Sequence, residues 1–318
     1  MTFRWGIAGT GRIASDFVRD FSAIEDGQVT AVGSRTLRGA QDFASSRGIG
    51  RTHGSIADLA ADPDIDIVYV AGIHPVHREH AVMMLEAGKH VLVEKPLAMS
   101  PSEVESIIEA SRATGRFMME AMWMRFNPLH VALKSRIDTG EFGPVEFIES
   151  DFTFEVPRDP SHRLFDPAKG GGALLDVGIY PLNLAWWWLG EPDEWNADGK
   201  LGPTGVDESV RMELEWREGA KAVLTCGSTA PGPRTSTITC RSAVIRIDAP
   251  SHASPTATIE SNGTTERVVA SAPGLHHQAR EVQRCVAAGD TQSPRMPHAE
   301  SLAISRFMDD VLASINGD

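Results

Sequence analysis

The chain has 318 residues, 42% of them hydrophobic and 23% charged, with a formal net charge of −13. That length is about two domains' worth, and the composition is ordinary for a globular protein. The acidic balance argues against a nucleic-acid partner, and no apolar run approaches the roughly 18 residues of a spanning helix. Cys226, Cys240 and Cys285 lie scattered without metal-ligand spacing. They fit a reducing compartment rather than a disulfide framework or a zinc site. The amino-terminal residues run directly into a strand, without a basic leader or an apolar signal core. A cytoplasmic location is expected, with no metal.

Residues 3–8 read as a first strand that runs into Gly9-Thr10-Gly11-Arg12-Ile13-Ala14 and a helix through Phe17, Val18 and Phe21. Glycine at 9 permits a tight turn, and glycine at 11 lets the backbone approach a pyrophosphate. The small Ala14 lets the helix pack closely on the strand. Free N–H groups at the helix start then face the phosphates. The pattern repeats with strands at 29–33 and 66–71, a helix over 75–87 stopped by Gly88, and a strand at 90–93. Ser100-Pro101-Ser102-Glu103 opens another helix, with a serine cap and proline at its first position. Alternation over about 120 residues implies a parallel sheet with right-handed crossovers.

The second strand ends in Ser34-Arg35-Thr36, where an NAD enzyme usually carries an acidic residue for the ribose hydroxyl. Ser34 and Arg35, with Arg38 behind them, suit a 2′-phosphate, so NADP is preferred over NAD. The segment Val91-Leu92-Val93-Glu94-Lys95-Pro96 is a buried strand stopped by two charges and a proline. Its carboxyl edge is where ligands bind in open α/β sheets.

Beyond Glu120 the alternation ends. Strand-like runs follow at 145–154, 210–216, 220–227, 236–239 and 244–247, and a hairpin at 256–269 turns at Asn262-Gly263. One long helix, about 172–189, carries Asp176 and Tyr180 four residues apart on one face. The expected architecture is an α/β Rossmann domain over 1–121, then an α+β domain over 122–318. The second has a large, mostly antiparallel open sheet for substrate binding and oligomerisation. The helices visible there look too few to cover that sheet, so a homodimer or higher homo-oligomer is expected. Trp186, Trp187 and Trp188 are consecutive around a helix and read as core or subunit contact.

Taken together, these motifs resemble the glucose–fructose oxidoreductase/inositol dehydrogenase (Gfo/Idh/MocA) superfamily. The resemblance rests on Gly9-Thr10-Gly11, His77-Arg78-Glu79-His80, Glu94-Lys95-Pro96 and Asp176-x-Gly178-x-Tyr180. Two further segments are similar to its dihydrodiol dehydrogenase and NADP-dependent aldose dehydrogenase branch. They are Glu120-Ala121-x-Trp123-x-Arg125-Phe126 and Arg163-Leu164-Phe165-Asp166-Pro167 with Gly170-Gly171-Gly172. The resemblance implies hydride transfer between NAD(P) and a sugar, polyol or cyclic diol. It brings Lys95 near Tyr180, so that the cation makes the phenol a usable proton acceptor, with Asp176 orienting the pair or a sugar hydroxyl. Lys95 as the base itself stays open. The dinucleotide would meet Gly9, Thr10, Gly11, Arg12, Ile13, Ser34, Arg35, Gly72, His74, His77, Glu94 and Lys95. Trp123, Arg125, Phe126 and Arg163 would meet the substrate. One departure is Ala71-Gly72-Ile73-His74-Pro75, where the superfamily usually has a Thr-Pro-Asn-like segment. An NAD-dependent glycosidase and a non-catalytic nucleotide-binding regulator are the alternatives within the same superfamily.

Overall fold

The computed structural model describes residues 2–317. The chain divides into two units. One runs to Trp123 and takes back Gly274–Leu302; the other holds Met124–Pro273 and the chain from Ala303 onward.

In the first unit the described residues form one parallel sheet of six strands. These are β1 (Phe3–Ala8), β2 (Gly27–Gly33), β3 (Arg51–His53), β4 (Ile67–Val70), β5 (His90–Val93) and β6 (Met118–Glu120). Their order is β3-β2-β1-β4-β5-β6. Helices α1 (Arg12–Phe21), α2 (Leu37–Ser45), α3 (Ile56–Ala61), α4 (His77–Glu86) and α5 (Pro101–Thr114) connect them. Strand order reverses between β1 and β4, the switch point at which such sheets bind dinucleotides. The centre of the sheet is apolar on both faces: Ile67, Val68, Tyr69, Val70, Val91, Leu92 and Val93 are all inaccessible to solvent. Ser100 caps α5 by accepting from the Glu103 N–H, and Gly115 closes the helix at φ +66°.

Two short strands (β3, β6) and two short helices (α2, α3) escape a sequence reading because they are too brief to show a period. The return of residues 274–302 differs from the expected division at 121/122. Helix α8 (His276–Ala288) packs with α1, and Gln283 donates to the Asp26 carbonyl at 2.9 Å. The Leu275 N–H reaches Asp20 Oδ2, also at 2.9 Å. Helical periodicity gives a buried face but not the partner that buries it.

The second unit is built on strands β7 (Val145–Thr153), β8 (Glu194–Leu201), β9 (Asp207–Glu215), β10 (Lys221–Gly227), β11 (Ser236–Cys240), β12 (Ala243–Ile247), β13 (Thr256–Ser261) and β14 (Thr264–Val269). Their order is β14-β13-β12-β11-β7-β10-β9-β8, antiparallel except for the β7–β10 pair. Asn262 and Gly263 both have positive φ, as a two-residue hairpin turn requires. Helices α6 (Pro128–Asp138) and α7 (Ile179–Leu189) belong to this unit, as does most of α9 (His298–Asn316). Trp186 packs edge-on against Phe307 of α9, so the tryptophan run is largely core.

The other face of this sheet is polar. Cross-strand rows read Thr239–Phe147–Lys221–Glu215 and Thr237–Glu149–Val223–Glu213, with Arg211 and Asp198 beyond. It can therefore face water, and the argument that it must be hidden loses its premise. Strand β8 was not expected because almost every residue in it is exposed, which leaves no apolar alternation to read. Among the described residues no helix is long and apolar enough to cross a membrane, and no group of three or more candidate ligands could hold a metal ion. The three cysteines are buried and unpaired.

Candidate active site

Each unit contributes its own group of side chains. In the first, Gly9 has φ +121°, and a Cβ there would lie 2.7 Å from the Ala71 carbonyl oxygen. Only glycine fits that turn. Gly11 is the N-cap of α1, and a Cβ on it would meet nothing nearer than the same oxygen at 4.0 Å. The space above Gly11 is open, and neither an acidic residue nor a side-chain cap obstructs the first turn of α1. That is what a bound pyrophosphate needs. At the end of β2, Ser34 is half-buried and Arg35 exposed, and Thr36 caps α2 by accepting from the Gly39 N–H at 3.2 Å. The guanidinium of Arg35 meets no carboxylate. Arg38 lies 3.8 Å from Asp42 and is largely exposed. A dinucleotide with a 2′-phosphate fits these residues.

The loop after β5 is held at nearly every step. The Glu94 N–H continues the parallel ladder to the Val70 carbonyl at 2.9 Å. The Glu94 carboxyl is buried and accepts a short hydrogen bond from the Tyr69 hydroxyl. Burial pushes its pKa up to about 7, opposed by that bond and by Lys95. The Leu97 N–H donates to Glu120 Oε1 at 3.1 Å, and Ser301 donates to Glu120 Oε2 at 2.8 Å. His77 is wholly buried. Its Nδ1 lies 2.9 Å from the Pro96 carbonyl and its Nε2 3.2 Å from that of Gly72. Burial lowers its pKa, so the ring is neutral and has one N–H to donate between two acceptors. His77 and Glu94 therefore brace the Lys95 loop rather than offer themselves to a dinucleotide. His74 is buried too, its ring edge-on to that of His77.

In the second unit, Asp176 and Tyr180 stand at the start of the long helix, which enters through one π turn over Leu174–Gly178 before α7. Such turns recur at functional sites. The glycines around it have specific causes. A Cβ on Gly171 would lie 2.8 Å from the Leu164 carbonyl oxygen, and one on Gly178 would lie 2.8 Å from Cys226 Sγ of β10. Gly178 thus lets the helix seat on the sheet. Asp207 accepts the Leu174 N–H at 2.6 Å and anchors the helix start, while its burial raises its own pKa.

Arg163 grips Asp176 with both terminal nitrogens, at 3.1 and 3.0 Å. The pair is bidentate and Asp176 is buried, so Arg163 fixes Asp176 rather than standing ready for a substrate. The Tyr180 ring is 4.8 Å from that of His252 and 5.4 Å from that of Phe152, and those two stack at 4.4 Å. His252 sits in a three-residue turn between β12 and β13, and nothing in the sequence marks it. His130 holds this turn by donating Nε2–H to the Ser251 carbonyl at 2.7 Å. Burial lowers His130 to about 4, which keeps the ring neutral. Two expected substrate contacts are interior: Arg125 is fully buried with its guanidinium over Trp187, and Phe126 is 3% exposed. Neither presents surface to a substrate. Trp123 is half-buried.

Residues 3–122 match the family model described as an oxidoreductase family with an NAD-binding Rossmann fold, and residues 130–246 match the GFO/IDH/MocA C-terminal domain. A trans-1,2-dihydrobenzene-1,2-diol dehydrogenase from Xenopus laevis is 37% identical, covering 99% of this chain and 98% of its own. The enzyme of that name from Bos taurus is 32% identical, at 99% and 97% coverage. A 3-ketoreductase from Actinomadura kijaniata, solved with NADP and TDP-benzene, superimposes with a TM-score of 0.86 at 26% identity, covering 98% and 97%. An aldose-aldose oxidoreductase from Caulobacter crescentus shares the fold, with a TM-score of 0.90 at 23% identity over 100% and 98% of the two chains. The chain therefore belongs to the GFO/IDH/MocA oxidoreductase family.

Proposed function

We propose that the protein is an NADP-preferring dehydrogenase or reductase that acts on a CH–OH group of a sugar, polyol or cyclic diol. The observation that carries this reading is the end-to-end similarity to dihydrodiol dehydrogenases. The intact set Lys95, Asp176 and Tyr180 supports it and disfavours the regulator. When bound, the nicotinamide supplies the two-electron acceptor or donor. Gly9, Thr10, Gly11, Arg12 and Ile13 hold the pyrophosphate, with Gly72 and His74 at the nicotinamide end. Tyr180 takes the proton of the substrate hydroxyl. Lys95 stabilises the phenolate and the oxygen that gains charge. Asp176, fixed by Arg163, orients a substrate hydroxyl or the Lys95–Tyr180 pair, and Trp123 walls the substrate. The unpaired cysteines accord with the cytoplasm. Turnover of sugars and diols with each nucleotide tests the reading. Nucleotide retained through purification and never consumed would point to the glycosidase.

Arg35 and Ser34 carry the nucleotide preference. Charge-assisted hydrogen bonds contribute about 1.5–3 kcal/mol, so Arg35→Asp should weaken NADP binding roughly tenfold to a hundredfold and spare or improve NAD. Titration of the two nucleotides against both proteins checks this, and equal affinities before and after the change would refute it.

The reading includes a homodimer formed through the polar sheet face. Its support is the mixture of charges there, Lys221 and Arg211 among Glu149, Glu213 and Glu215, which can pair across a twofold axis. Charge pairing of this kind weakens with salt. Sedimentation should show a dimer at low ionic strength that loosens at high ionic strength. A monomer at micromolar concentration in low salt would contradict it.

A further inference from the structure

We propose that Glu94, held by Tyr69, is a positioning residue that sets the charge state of Lys95. The proposal rests on the reading of Lys95 as the catalytic cation. The geometry is specific. Tyr69 is the third residue of β4 and Glu94 directly follows β5, so neighbouring strands deliver the phenol and the carboxyl to one buried spot. Both side chains are enclosed, and the Tyr69 ring is stacked on Phe17 at 4.1 Å, which fixes where its hydroxyl points. The hydrogen bond from Tyr69 to Glu94 is short. Lys95 follows Glu94 in the chain, and the backbone around it is clamped through Val70, Glu120 and His77.

A buried carboxylate beside an ammonium is a two-way device. Lys95 favours ionised Glu94, and ionised Glu94 must by the same interaction favour protonated Lys95. Four titratable groups surround the carboxyl. Tyr69 and Lys95 lower its pKa, Glu120 raises it, and His77 behind Pro96 is neutral. The balance leaves Glu94 titrating at about 7, where a change in its charge falls within the working pH range. Removing the Tyr69 hydroxyl takes away a bond to the ionised form, so the Glu94 pKa must rise further.

The test uses Glu94→Gln, which keeps an acceptor for Tyr69, and Tyr69→Phe, which keeps the ring. Isotope-labelled methyl groups placed on the lysines report the Lys95 titration by NMR, assigned by its loss in Lys95→Met. Glu94→Gln should lower the Lys95 midpoint by about one unit, the scale of one opposite charge nearby. The acidic limb of the rate profile due to Glu94 should disappear in Glu94→Gln and move to higher pH in Tyr69→Phe. An unchanged Lys95 midpoint in Glu94→Gln overturns the proposal, as does an acidic limb that stays put in both variants. A lowered midpoint with unaltered turnover supports the Glu94–Lys95 coupling and refutes instead the catalytic reading of Lys95.

Discussion

Lys95→Met should retain the cofactor and lose turnover by about 10²–10³, the usual cost of one well-placed electrostatic contact in a transition state. The substitution leaves the loop intact, because its anchors are the Glu94 N–H, the Pro96 carbonyl and the Leu97 N–H rather than the lysine side chain. Nucleotide affinity should therefore change little, which separates lost chemistry from lost structure. With the cation gone, the Tyr180 phenol should ionise less readily, and residual activity should move to higher pH. Rates at saturating substrate and nucleotide across a pH range check both statements. A near wild-type rate in a folded variant would make Lys95 a surface charge.

Gly172→Ala should be the most damaging single-methyl change in the second unit. Gly172 has φ +122°, a conformation that costs a side chain about 1–3 kcal/mol, and its Cβ would run into the Asp207 carboxylate. Asp207 would have to give up the Leu174 N–H, and a lost hydrogen bond at a buried group adds about 1–3 kcal/mol. The expected loss of stability is about 2–5 kcal/mol by these two terms. Activity should fall at temperatures where the protein is still folded, because the displaced segment carries Asp176 and Tyr180. Chemical denaturation and kcat measured side by side check this. A variant as stable as the parent would show that the Asp207 cap can move at no cost.

The parts of the site that repeat along the chain were legible in the sequence. Gly9 and Gly11 sit between a strand and a helix, and Lys95 lies just past an apolar run, so local pattern alone places them at the carboxyl edge of the sheet. The reading failed where partners come from distant segments. Arg163 looked available to a substrate because nothing local reveals that it closes on Asp176. Glu94 looked like a cofactor contact because its partner, Tyr69, lies on the neighbouring strand. His252 had no signal, since its place beside Tyr180 depends on a three-residue turn held by His130. Polarity hid β8, and α6, α8 and α9 were overlooked among the strands. With those helices missing, the sheet seemed barer than it is. Its open face proved to be charged rather than apolar, which replaces one argument for a partner subunit with a weaker one.

The central claim is net oxidation or reduction of a hydroxylated substrate by a dissociable nucleotide. Its most direct test is the nicotinamide absorbance of the purified protein mixed with NADP or NAD and a panel of aldoses, polyols and cyclic diols. The account predicts sustained formation of reduced nucleotide with at least one of them, faster with NADP, and lost in Lys95→Met. No net change in nucleotide with any substrate in either direction, from a folded protein that binds the cofactor, would contradict it.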